Sequence, residues 1–156
     1  YDLGGFFLVT PLEDQRRLAA RLMDHWRSGS GSQSNPDRSE ALSKVQVAES
    51  LEQVLDGLES KLGQRPKLAV TSARKPFKGR GRKARPITVV GYDRARQALE
   101  EGPMALVFGT GHGLAPQILE QAQLAIRPIR YMDNYNHLSV RSAVAITVDR
   151  LLTDIW

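Results

Sequence analysis

Glycine, hydroxyl and imidazole groups gather late in the chain. Gly109-Thr110-Gly111-His112-Gly113-Leu114 joins the apolar run Met104 to Phe108 to a helical pattern. Glycines there permit positive φ and let backbone approach a ligand closely. Exposed N–H groups in such a turn can hold a carboxylate, a phosphate or an adenine edge. The dinucleotide fingerprint G-x-G-x-x-G fails, because position 114 is Leu and no acidic residue follows about 20 positions on. A phosphate-binding P-loop fails for want of G-K-[ST]. A tight strand-to-helix turn remains the plain alternative.

Two further stretches offer polar groups where open α/β sheets place ligands. Thr71-Ser72 closes the apolar run Lys67 to Val70, as ligand contacts or as a simple strand end. Asn136-His137-Leu138-Ser139-Val140-Arg141-Ser142 stands before an apolar helix and supplies an amide, hydroxyls, an imidazole and a guanidinium. Capping by Asn136 or Ser139 explains that stretch as well as ligand binding does. Arg141, His112 and His137 are the polar candidates near the mouth of such a pocket.

A third feature is electrostatic. Arg74, Lys75, Lys78, Arg80, Arg82, Lys83 and Arg85 come without an intervening anion, while the whole chain carries only +5. The rest is therefore mildly acidic, and the basicity belongs to one segment, 73–86. That suits phosphate contacts on a polyanion. Its one aromatic, Phe77, makes no base-stacking platform, and a solvated loop is the alternative.

The elements that position these groups follow from periodicity. Phe6 to Val9 reads as a strand buried on both faces. A helix follows, with Thr10 as N-cap, Pro11 in the first turn, and an apolar face at Leu12, Leu18, Leu22 and Trp26. Gly29 to Asn35 reads as a flexible surface connection. A short helix at Ser39 to Leu42, a strand at Val45 to Ala48 and a helix ending at Gly63 come next. Then follow a strand at Lys67 to Ser72, a helix at Asp93 to Glu101 and strands at Met104 to Phe108 and Leu124 to Ile126. The last helix, Leu138 to Leu152, is apolar over more than one face, so it must be buried or pack on another chain. This alternation gives one α/β domain over residues 1–156, a parallel sheet with helices on both faces.

Composition narrows the class. No apolar run approaches the roughly 18 residues of a membrane span. The chain has no Cys, which fits a reducing cytoplasm and removes thiolate chemistry. His25, His112 and His137 lack metal-ligand spacing, so no metal is expected.

Taken together, the stretches FFLVTPLEDQ (6–15), NPDRSEAL (35–42), RPKLAVTSAR (65–74), LVFGTGHGLA (106–115) and YNHLSVRSAVAITVDRLL (135–152) resemble the SPOUT superfamily of S-adenosyl-L-methionine-dependent RNA methyltransferases, in particular a bacterial family of stand-alone knotted domains. The last two stretches match the superfamily's C-terminal motifs in order and separation. The resemblance implies a deep C-terminal trefoil knot, S-adenosyl-L-methionine as cofactor, RNA (tRNA or rRNA) as substrate, and a cytoplasmic homodimer built through the C-terminal helix. It implies a cofactor site of three loops: Thr71, Ser72 and Ala73; then Gly109, Thr110, Gly111, Gly113 and Leu114; then Asn136, Leu138, Ser139 and Ser142. Ile126, Pro128 and Ile129 would surround adenine. The seven cations from Arg74 to Arg85 would hold RNA, and Arg141 would contact substrate or act in catalysis. Two departures stand out. The superfamily's N-terminal motif, on the helix after its first strand, would fall before Tyr1. The Glu frequent in the glycine loop of ribose methyltransferases is absent, with His112 in that loop instead. A non-catalytic module that binds cofactor or RNA is the competing expectation.

Overall fold

Short β-branched and aromatic runs alternate with amphipathic helices throughout the computed structural model, which describes residues 1, 3–73, 87–129 and 138–153. The chain divides between Arg65 and Pro66 into two compact units.

The first unit holds β1 (Phe6–Val9), α1 (Glu13–Arg27), α2 (Ser30–Ser34), α3 (Pro36–Ser43), β2 (Val45–Ala48) and α4 (Leu51–Leu62). β1 and β2 pair in parallel, Phe6 opposite Val45. Among the described residues β2 is the only partner of β1, so Phe6, Leu8 and Val9 stay about two-fifths exposed instead of buried on both faces. α1 starts later than its Thr-Pro pair suggests. Leu12 is the N-cap residue, and the Thr10 hydroxyl bonds to the Gln15 side chain at 2.9 Å instead of capping the helix. Met23 is the buried residue of α1, while Leu12, Leu18 and Leu22 remain exposed. The Gly/Ser stretch is no loose connection. It contains α2, and Gly31 is buried there, so close to Trp26 and His25 that a Cβ would come within 2.7 and 2.9 Å of their rings. α3 is longer than expected because Asn35 caps it, accepting from the Arg38 amide at 2.9 Å, with Pro36 in its first turn. Ser50 caps α4, and Gly63 ends it in the left-handed conformation at φ 73°.

The second unit holds β3 (Lys67–Thr71), β4 (Thr88–Val90), α5 (Tyr92–Glu100), β5 (Met104–Val107), α6 (Pro116–Gln121), β6 (Leu124–Ile126) and α7 (Val140–Leu152). Its four strands are all parallel, in the order β4-β6-β3-β5. β4, a short β-branched strand, has no counterpart in the sequence reading. The chain runs from β3 to one edge of the sheet, to the other, and back between β4 and β3. Ligands bind at the carboxyl ends of strands around such reversals. Ala69, Val90, Ala95, Ile126 and Leu151 form the core, with Tyr92, Leu99 and Leu106 packed on it. Ala95 and Ala98 are buried, and their small side chains let α5 lie close. Thr147, Val148 and Leu151 are the buried residues of α7, while Val140 and Leu152 stay exposed. Among the described residues no helix is long and apolar enough to cross a membrane.

Candidate functional site

The second unit contains a pocket of about 330 Å³ beyond the carboxyl ends of β3, β5 and β6. That volume lies in the range of small-molecule sites. Each wall follows from local sequence. After β3, Thr71, Ser72 and Ala73 line it. The Thr71 hydroxyl donates to the Val107 carbonyl at 3.1 Å, tying the ends of two neighbouring strands together.

After β5 come Phe108 and the loop Gly109 to Gly113. The Gly113 amide donates to the Thr110 carbonyl at 2.7 Å, closing a tight turn. Gly113 has φ 83°, which favours glycine. The loop is thus both a tight turn and a pocket wall. His112 lines the pocket from its tip and is exposed.

After β6, Ile126, Arg127, Pro128 and Ile129 contribute. The Arg127 amide donates to the Val90 carbonyl at 2.8 Å, which extends the sheet at the wall. Arg127 is the one permanently charged side chain among the described lining residues.

The last wall is α7 with its lead-in. Leu138, Ser139, Val140, Ala143 and Thr147 line the pocket. Positions 140, 143 and 147 share one helical face. Ser139 is the N-cap. Its hydroxyl accepts from the Ser142 amide at 3.2 Å and pairs with the Ser142 hydroxyl at 2.9 Å. The cap and the pocket-lining position fall on the same residue.

Twelve of the fifteen residues expected to hold a cofactor thus border one pocket. Leu114 and Ser142 do not: Leu114 follows the turn, and the Ser142 hydroxyl is engaged by the cap. Asn136 and His137 lie outside the described residues, as do the seven cations from Arg74 to Arg85. Arg141 is exposed on the first turn of α7 and is not a lining residue, because it lies about 100° round the helix from Val140. Sequence reasoning missed Tyr92, Phe108, Ala143 and Thr147 as pocket residues. The 140/143/147 spacing was available to reveal the α7 face, but nothing in the sequence marked Tyr92.

Behind the pocket wall, sealed off by protein atoms, lies an unsatisfied polar group. The Tyr92 hydroxyl is enclosed and has no hydrogen-bond partner among the described residues, a state that costs about 1–3 kcal/mol. Among the described residues, no group of three or more His, Cys, Asp or Glu side chains is placed to hold a metal.

A family model described as SAM-dependent RNA methyltransferase matches residues 1–153. The chain belongs to that family. A tRNA (guanine-N(1)-)-methyltransferase of Nitratidesulfovibrio vulgaris is 50% identical to this methyltransferase-family chain over 156 residues, 100% of the chain and 34% of that relative. One of the same name from Oleidesulfovibrio alaskensis is 46% identical over 154 residues, 99% of the chain and again 34% of the relative. The chain thus spans about a third of these two relatives. An uncharacterized protein of Aquifex aeolicus is 34% identical over 155 residues, 98% of the chain and 71% of that protein. In fold the chain is similar to TrmJ from Z. mobilis ZM4, at a TM-score of 0.58 and 19% identity over 96% of the chain and 68% of TrmJ. It is similar in fold to a probable methylase family protein from Haemophilus influenzae Rd KW20, at 0.54 and 20% over 94% and 63%. Parallel α/β architecture is common to the chain and this fold.

The family is S-adenosyl-L-methionine-dependent, and the lining fits that molecule. Ile126, Pro128 and Ile129 offer an apolar surface for a flat base, and Arg127 offers a cation for a carboxylate.

Proposed function

We propose that this chain transfers a methyl group from S-adenosyl-L-methionine to RNA. The observation that carries the reading is the convergence of three strand-end loops and α7 on one pocket. The cofactor-binding residues of the proposal are the lining members of the expected set, with Asn136 carried over from the resemblance. Bound there, the cofactor supplies an electrophilic methyl group.

The chain's own part is positioning. The glycine loop brings backbone against the ligand, and the Ile126-Pro128-Ile129 wall excludes water. Holding the acceptor in line at about 3–3.5 Å supplies most of the catalytic advantage such a reaction needs. A hydroxyl or ring nitrogen acceptor must lose a proton, and His112 at the pocket rim is able to take one. Arg141 faces away from the pocket-lining side of α7, which suits a contact to RNA across the rim. The segment from Arg74 to Arg85 supplies cations for the RNA backbone.

The names of the two longer relatives favour tRNA over rRNA as substrate. Guanine N1 is not carried over, since two thirds of each relative lies outside the match. The proposal includes a trefoil knot, supported by the return of the chain through β6 between β3 and β4. It includes a cytoplasmic homodimer through α7, supported by the exposed Val140 and Leu152. A non-catalytic module that binds cofactor or RNA is the second reading.

Calorimetry with S-adenosyl-L-methionine, then transfer of a labelled methyl group to bulk tRNA and rRNA, tests the proposal. Binding with transfer supports it. Binding without transfer selects the module, and no binding overturns the pocket assignment.

A further inference from the structure

We infer that Arg150 is a positioning residue of the pocket: from the last turn of α7 its guanidinium holds the Ile129 wall and the Tyr92 ring in the arrangement that receives the adenosyl group. The inference rests on the proposed reading of the pocket as the methyl donor's site.

Three observations lead to it. First, the wall after β6 is thinly held. The Arg127 amide makes the last bond of that wall to the sheet, at 2.8 Å to the Val90 carbonyl. Pro128 has no N–H to donate. Among the described residues, the one hydrogen bond made by Pro128 or Ile129 runs from Arg150 Nη1 to the Ile129 carbonyl, at 3.2 Å. Second, the same guanidinium lies over the Tyr92 ring, 5.3 Å from its centroid, within reach of a cation–π contact. Ile129 and Tyr92 both line the pocket, one after β6 and the other from α5. One side chain on a third element thus spans two walls, and Thr147, one turn earlier on α7, lines another. Third, Arg150 is itself set in place. Its backbone carbonyl accepts from Arg96 Nη2, and Arg96 Nη1 donates to Asp93 at 2.8 Å. A guanidinium suits this task, because its donors lie in one rigid plane. A wall ordered before the ligand arrives spares binding the cost of ordering it.

The test compares Arg150→Met with Arg96→Met on the full chain. Methionine at 150 keeps an apolar stem against Tyr92 and removes the donor to Ile129. Arg96→Met loosens the same seam between α5 and α7 without touching the wall, so it controls for lost packing. Three quantities are read: Tm of the free protein, hydrogen exchange of its Arg127 amide, and calorimetric affinity for S-adenosylhomocysteine. The inference expects Arg150→Met to speed exchange at Arg127. It expects affinity to fall about three- to tenfold, the worth of one ordinary hydrogen bond. It expects Arg96→Met to lower Tm and leave affinity nearly unchanged. Unchanged affinity in Arg150→Met overturns it. Affinity that follows Tm in the same proportion in both variants also overturns it, since Arg150 then acts only through general stability. If wild type itself binds no S-adenosylhomocysteine, the pocket reading fails. Exchange in the free protein then still decides on the brace, and an unchanged rate at Arg127 removes it.

Discussion

A Cβ placed on Gly109 would lie 2.6 Å from the carbonyl carbon of Gly113. No real Cβ sits so close to backbone, so the two glycines interlock and the turn between them closes only without a side chain. Gly111, in the same turn, would meet nothing within 4 Å, and its φ is not positive. The three glycines are therefore not equivalent. Gly109→Ala is expected to push the loop outward and abolish detectable S-adenosyl-L-methionine binding. Gly113→Ala should cost about 1 kcal/mol of stability through its positive φ. Gly111→Ala should leave affinity within about twofold. Calorimetry on the three variants checks the order. Equal losses at Gly109 and Gly111 would contradict it.

The glycine loop shows how far the sequence reached. Its position between an apolar strand and a helix was plain, and so were the other strand-end loops, because β3, β5 and β6 are short continuous apolar runs. Tyr92 was not. It lines the pocket through the sheet's strand order, and strand order is set by long-range pairing that no local pattern encodes. The exposure of β1 was misread for the same reason: Phe6 to Val9 has the composition of a central strand but one partner among the described residues. The Gly/Ser stretch misled in the opposite direction. Its composition suggests a loop, and tertiary packing of Gly31 on Trp26 and His25 overrides that propensity.

Acid should weaken the second unit through Glu101. The Lys67 ammonium hydrogen-bonds this carboxylate, and Arg94 does so at 2.8 Å. These contacts, Lys67 first, lower its pKa to about 2. A carboxyl with a depressed folded pKa contributes stability above its unfolded value, and that contribution is lost as pH falls through the folded value. Glu101→Gln should therefore lower Tm relative to wild type above about pH 4.5, with the difference shrinking towards pH 2. The partners are exposed, so the effect is modest and fades with salt. A Tm difference independent of pH would show that the ion pairs do not contribute.

RNA affinity should fall steeply with salt if the segment from Arg74 to Arg85 holds the backbone. Seven phosphate contacts to a single strand correspond to a log–log slope of about −5. Replacing Arg80, Arg82 and Lys83 with Gln should reduce that slope by about 2 and leave S-adenosyl-L-methionine binding unchanged. Filter binding between about 50 and 200 mM salt measures both slopes. A flat dependence in wild type would remove the segment from the RNA interface.

Ser139 permits its two roles to be separated. As the N-cap of α7 it accepts from the Ser142 amide at 3.2 Å, so Ser139→Ala should cost about 1 kcal/mol of stability. As a pocket residue it also borders the proposed cofactor. Ser139→Asp keeps an acceptor for the cap while placing a full negative charge at the pocket edge. If Ser139 acts only as a cap, the Asp variant should recover the Tm lost in the Ala variant, with cofactor affinity following Tm in both. If it also contacts the cofactor, the Asp variant should recover Tm and still bind S-adenosyl-L-methionine with altered affinity. The pocket reading predicts the second pattern. Thermal unfolding and calorimetry on the two variants distinguish the patterns, because capping depends on an acceptor at this position and the ligand contact depends also on its charge.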